Sequence, residues 1–178
     1  DGFEFTESDI EYLAGLNAPG GGRHFKAEFL AYLRNLTLSV DIDAVREGEV
    51  IFPMEPIVRV MGPILECQLL ETALLNCVNF QTLIATKAAR VCLAAKTPVA
   101  EFGLRRAQGA GGSLWASRAA IVGGCASTSN VLAGKLYDIP VSGTHSHSWV
   151  MSFDSELEAF RAYAKSFPTN CVLLVDTY

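Results

Sequence analysis

The segment Thr144-His145-Ser146-His147-Ser148 sets two imidazoles two positions apart. In an extended chain both point the same way, as two ligands of one metal would. His24 is the only other histidine, and neither an HExxH helix nor a close cysteine pair accompanies them, so zinc is the weaker reading. A histidine here can serve instead as nucleophile or acid/base, because its unperturbed pKa lies near neutrality. Asp176 is placed to orient such a ring by accepting its second N–H. An ordinary polar loop would show the same spacing.

Glu101-Phe102-Gly103-Leu104-Arg105-Arg106 brings an acid, an aromatic ring and two cations to one strand end. Two guanidinium groups can grip a phosphate or a carboxylate through their planar forks of donors, and an aromatic beside them can stack on a flat ring. The plainer alternative pairs both arginines with local acids and puts Phe102 in the core. Gly109-Ala110-Gly111-Gly112-Ser113 lacks the GK[ST] ending of a phosphate-binding loop and reads as a flexible connection. Ser127-Thr128-Ser129-Asn130 opens a helix. Its hydroxyls and free N–H groups suit an oxyanion, although capping alone accounts for at least one of them.

The elements that must hold these residues follow from periodicity. Thr6 to Asp9 is a capping signal ahead of Ile10, Tyr12 and Leu13, and a second helix over 25–35 lines up Phe25, Phe29, Leu30 and Leu33. Leu38, Val40 and Ile42 alternate with polar residues as in a half-buried strand. With Val50 to Phe52 and Ile57 to Val60 they predict a small antiparallel sheet. Residues 64–96 carry helical spacing throughout. From residue 97 the pattern is strand, loop, helix, repeated: strands at 98–102, at 139–142 and at 171–175, a turn or very short strand at 123–126, and helices over 113–122, 128–136 and 155–166. The last helix is read with Leu157, Phe160, Tyr163 and Ala164 inward, and Cys171 to Val175 as a strand buried on both faces.

The fold class is therefore α/β: helices and a small mainly antiparallel β domain over 1–63, a connecting helix over 64–96, and the first part of a parallel sheet or barrel over 97–178. In such folds the loops after the strand ends share one rim. Arg105, Arg106 and Gln108, Ser127 to Asn130, Thr144 to Ser148 and Asp176 all fall there. Tyr178 comes just past an apolar strand and the first residue is not Met, so a longer protein is expected.

Half of the 178 residues are hydrophobic and 19% are charged, enough to bury a core. The net charge of -5 gives no general attraction to nucleic acid or anionic membrane. The longest uncharged apolar run, Thr72 to Thr86, is interrupted by Asn76, Asn79 and Gln81 and is too short to span a bilayer. Five cysteines without a CxxC read as reduced, mostly buried thiols of a cytoplasmic protein.

Three segments in order, Glu101 to Gly109, Thr128-Ser129-Asn130-Val131-Leu132-Ala133-Gly134 and Gly143 to Ser148, resemble the signatures of the nicotinate phosphoribosyltransferase family. The likeness extends to Glu49-Val50-Ile51-Phe52-Pro53, to Leu70–Asn76 and Lys87–Arg90, and to Val175–Tyr178. It implies an incomplete α/β barrel joined to a smaller β domain, a homodimer, and formation of nicotinate mononucleotide and pyrophosphate from nicotinate and phosphoribosyl pyrophosphate. ATP is the cosubstrate and Mg²⁺ the cofactor. By the same resemblance His147 is phosphorylated by ATP and Asp176 orients it. Phe102 stacks on the pyridine, Arg105 binds phosphate or pyrophosphate, and Thr144 contacts nicotinate. Ser129 stands where nicotinamide-using relatives carry an acid, which would repel an anionic base. Related transferases for nicotinamide or quinolinate, or a ligand-binding relative without catalysis, are the alternatives. The family's later barrel strands have no counterpart in these residues.

Overall fold

Thr6 starts the first helix as its spacing predicts. Its hydroxyl accepts the Asp9 N–H while the Asp9 carboxylate accepts the Thr6 N–H, a reciprocal capping box. The computed structural model describes residues 3–178. They form two compact units, divided at Leu74/Leu75 within a long helix.

In the first unit α1 (Glu7–Gly15) and α2 (Ala27–Arg34) bury Ile10, Leu30 and Leu33 against Phe5, Phe25, Phe29 and Leu69. Arg34 clasps Glu7 through two nitrogens, at 2.7 and 2.8 Å. That hydrogen bond holds the Glu7 carboxyl below its ordinary pKa. Strands β1 (Asp41–Ala44) and β2 (Val58–Met61) pair antiparallel, and the Asp43–Arg59 register pair is also an ion pair at 2.6 Å. The expected alternation holds for Leu38 and Val40 but not for Ile42, which is exposed along with the rest of β1. Glu66, 6% exposed, accepts the Ser39 N–H at 2.7 Å and the Ser39 hydroxyl, anchoring the chain just ahead of β1.

Helix α3 (Ile64–Ala94) runs for 31 residues and carries the chain from the first unit into the second. In the second unit its C-terminal half meets α4 (Gly109–Val122), with Ala88, Ala120 and Cys125 buried between Ile84, Cys92, Val99 and Ile121. β3 (Ala100–Glu101) and β4 (Ser127–Thr128) pair in parallel, and Thr128 bridges in parallel to Val141. Strand, α4, strand, α5 (Val131–Tyr137) and the Val141 bridge thus make two successive β-α-β passes. Two short helices follow, α6 (His147–Met151) and α7 (Glu156–Ser166).

Several expectations change. Gly109 to Ser113 is helical rather than a loop. Ser113 is buried, with its hydroxyl bonded back to the Ala110 carbonyl at 2.6 Å instead of capping. Burial of Ser113 and Ser117 outweighs the poor helix propensity of three glycines. The strand expected at 98–102 contracts to two residues, and that at 139–142 to one bridge. The helix expected from 128 begins at Val131, because Thr128 is taken into β4 and Asn130 caps through its side chain. Residues 171–175 form no ladder among the described residues. They lie mostly exposed, with Val175 71% accessible. On α7 Phe160, Tyr163 and Ala164 are half-buried as expected and Ala159 is fully buried, whereas Leu157 is exposed. Of the five free thiols only Cys125 is buried, and Cys77 and Cys171 are exposed.

Candidate functional site

The parallel pairing of β3, β4 and Val141 fixes the rim, because three strand ends in parallel register release their loops at one edge. The first loop carries Phe102, 46% exposed, and then a 3₁₀ turn (Leu104–Arg106) that holds Arg105 and Arg106 in solvent. Neither arginine has an ion-pair or hydrogen-bond partner for its guanidinium among the described residues. The local pairing that the sequence allowed is therefore absent, since Glu101 turns inward. Its carboxylate accepts the hydroxyls of Ser117 (3.0 Å) and Thr128 (2.6 Å) and the N–H of Gly103. The arginines keep all their donors for an anion.

Ser129 leaves β4 half-buried. Its N–H donates to the Glu101 carbonyl at 2.9 Å, so it stands beside the Phe102 loop with its own hydroxyl uncommitted among the described residues. Thr128 Oγ1 accepts the Asn130 N–H, and Asn130 Oδ1 caps α5 through Ala133. After Val141 the exposed Thr144 hydroxyl donates to the His145 carbonyl at 2.8 Å. Beneath this third loop, Ser127 and Ser142 share a hydroxyl–hydroxyl bond at 2.6 Å.

The two histidines have different surroundings. His145 is 8% exposed and packs edge-on against Tyr163 and tilted to Phe160, with centroids 4.9 and 5.6 Å away. Its Nε2 accepts the N–H of Leu174 at 3.1 Å, so the ring is neutral with its proton on Nδ1, directed at the Ser146 carbonyl 3.4 Å away. That nitrogen lone pair is engaged in tethering the chain near residue 174. His147 opens α6 with 42% of its side chain exposed. Its Nδ1 lies 3.2 Å from the Thr177 hydroxyl, and its Nε2 lies 3.8 Å from Asp176 Oδ1. The second distance is within ion-pair reach and beyond a hydrogen bond. Asp176 itself is 74% exposed.

The structure thus gathers the six residues singled out from sequence in two groups. Phe102, Arg105 and Ser129 are joined through Glu101, and His147 and Asp176 lie together, with Thr144 three residues ahead of His147. Three features lay outside the sequence reading: the inward turn of Glu101, the Thr177 hydroxyl on His147, and a cavity of about 280 Å³ lined by His145, Ser146, Trp149, Tyr163, Ser166 and Phe167. The helical spacing of Phe160, Tyr163 and Phe167 toward one side of α7 was the available signal for the last. No three His, Cys, Asp or Glu side chains converge among the described residues. Among the described residues the rim offers the exposed Asp176 carboxylate, one oxygen ligand of the kind that Mg²⁺ takes.

The family model for the nicotinate phosphoribosyltransferase (NAPRTase) N-terminal domain matches residues 1–79. Nicotinate phosphoribosyltransferase of Bacillus subtilis is 48% identical over 179 residues, covering all of this chain and 35% of that protein. A nicotinate phosphoribosyltransferase of Mycobacterium tuberculosis is 45% identical, over all of this chain and 37% of its own length. Among solved structures, that of human nicotinic acid phosphoribosyltransferase superposes with a TM-score of 0.73 at 42% identity, covering 84% of this chain and 30% of that one. All of these matches are to nicotinate phosphoribosyltransferases, and the chain is similar over its whole length to the two bacterial ones. It spans little more than a third of the length of the curated relatives it matches.

Proposed function

We propose that the protein carrying this chain joins nicotinate to phosphoribosyl pyrophosphate, releasing pyrophosphate and forming nicotinate mononucleotide. The reaction is coupled to ATP hydrolysis through a phosphohistidine at His147 and feeds NAD biosynthesis. The observation that carries this reading is end-to-end identity of 45–48% to two bacterial enzymes of that name, across the segments that hold all six rim residues. In this reading residues 97–178 begin an incomplete α/β barrel, residues 1–63 belong to the smaller β domain, and 64–96 connect them. The protein is a cytoplasmic homodimer. No helix among the described residues is long and apolar enough to cross a membrane.

The chain's own groups divide the work. Phe102 offers an exposed ring face for the pyridine. Arg105 supplies unpaired donors to the phosphate or pyrophosphate oxygens, where leaving-group charge grows as the C–N bond forms at the anomeric carbon. Ser129 presents an uncommitted hydroxyl to the substrate carboxylate where an acid at that position would repel it, and Thr144 contacts the base by turning its hydroxyl from the His145 carbonyl. Asp176, 3.8 Å from Nε2 of His147, orients the ring by closing on that nitrogen, and Nδ1, now 3.2 Å from the Thr177 hydroxyl, exchanges that contact for the γ-phosphoryl group. Mg²⁺ would neutralise phosphate charge alongside Arg105.

His147→Ala in the full-length protein tests the reading. Incorporation of acid-labile phosphate from γ-labelled ATP should vanish, and ATP should no longer stimulate nicotinate turnover. Acid-labile phosphate retained at wild-type level in that variant refutes the assignment. Comparing turnover of nicotinate, nicotinamide and quinolinate separates the acid-specific activity from that of its relatives.

A further inference from the structure

We propose that Glu101 is a positioning residue, whose inward carboxylate sets the separation between the Phe102–Arg105 loop and Ser129 and so shapes the cleft for the base. This rests on the functional reading above.

Glu101 is the last residue of β3 and the hub of a network that ties three elements. One oxygen accepts from Ser117 on α4 and from Thr128 on β4, and the other accepts the Gly103 N–H in the loop itself. Its backbone carbonyl accepts the Ser129 N–H. The partners are almost wholly covered: Ser117 is 1% exposed, Thr128 0% and Asn130 3%. Asn130 closes the ring by donating to Ser117 Oγ at 3.2 Å and through its N–H to Thr128 Oγ1 at 3.0 Å. Each hydroxyl therefore gives its one proton to Glu101 and takes a bond from Asn130.

That directionality makes both carboxylate oxygens obligate acceptors. A glutamine would turn one of them into a donor facing a donor, and an aspartate would fall a methylene short. No cation neutralises the carboxylate among the described residues. Its place two residues from Gly103 and four from Arg105 thus serves the loop's geometry rather than an ion pair. Gly103 belongs to the same device: a Cβ there would lie 2.8 Å from Glu101 Oε1. Misplacement of a binding group by about 1 Å can cost on the order of a hundredfold in rate or affinity.

The experiment uses the full-length protein with Glu101→Gln, Glu101→Asp and the milder Ser117→Ala, each checked for folding by circular dichroism. Nicotinate KM, kcat and phosphorylation of His147 by ATP are read separately. Glu101→Gln and Glu101→Asp should both raise nicotinate KM by about tenfold or more, with a smaller change in kcat. Ser117→Ala should raise KM by less, and phosphoenzyme formation should persist in all three. Wild-type KM in Glu101→Asp would show that charge rather than reach matters, and would overturn the proposal. So would an unchanged KM in Ser117→Ala and in whichever Glu101 variant folds, or equal loss of phosphoenzyme and turnover. A wild-type protein without nicotinate-dependent pyrophosphate release would instead refute the functional reading itself.

Discussion

Gly123→Ala is a sharp test of how the second unit is packed. Gly123 follows α4 with φ -75° and ψ 0°, a conformation any residue adopts, so alanine meets no backbone strain there. By itself the exchange would stabilise by ~0.4–1 kcal/mol, through the loss of freedom in the unfolded chain. The added methyl, however, would overlap the Ala85 carbonyl oxygen of α3 and come 2.7 Å from Ala88 Cβ. Carbon atoms pack at ~3.5–4.0 Å, so α3 and α4 must part by about 1 Å. Overpacking of that kind costs ~1–3 kcal/mol. The steric term wins, leaving a net loss of about 1–2 kcal/mol, or roughly 5–15 °C in Tm for a unit of this size. Gly111→Ala is the matched control. It lies in the exposed first turn of α4 with nothing within 4 Å of its added Cβ. It should gain ~0.5–1 kcal/mol. Thermal and urea unfolding followed by circular dichroism measure both. A Gly123→Ala protein as stable as wild type, or two variants that shift in the same direction, would refute this account of the α3–α4 contact.

Two further outcomes follow from the titrating and tethering groups. Burial, then the neighbouring Cys92 thiol 3.9 Å away, pushes the Cys125 thiol from 9.0 up to about 11. The folded protein therefore keeps its proton where the unfolded chain loses it. The stability this contributes is whole below pH 9 and is lost as pH rises from about 9 to 11. Iodoacetamide at pH 8.5 should label the exposed Cys77 and Cys171 well before Cys125, as peptide mass mapping would show, and equal rates would contradict the burial argument. His145→Phe keeps the ring against Tyr163 and Phe160 but removes the acceptor for the Leu174 N–H. Hydrogen exchange at Leu174 should accelerate by about two- to tenfold, the equivalent of one modest hydrogen bond. An unchanged rate would mean that His145 does not tether this segment.

Much of the framework was legible because it is local. The Thr6–Asp9 box, the apolar face of α2, the length of α3 and the antiparallel pairing of β1 with β2 each follow from residues a few positions apart. The chemistry-bearing residue types were legible for the same reason. Arg105 beside Phe102, and His147 after Thr144, are sequence neighbours whose loops the β-α-β order sends to one edge.

What tertiary structure decided involves partners distant in the chain. Whether Glu101 pairs with the arginines beside it or turns to Ser117 and Thr128, 16 and 27 residues on, depends on which hydroxyls the packing of α4 and β4 presents. The same holds for His147 and Thr177, 30 residues apart, and for His145, whose engagement by Leu174 distinguishes it from its near neighbour. Gly109 to Gly112 join a helix because Ser113 and Ser117 are buried, against their propensity. Residues 171–175 have the composition of a buried strand, yet a strand exists only where another backbone answers its hydrogen bonds. Composition and periodicity set what each segment can do, and the distant groups brought against it settle which of those options it takes.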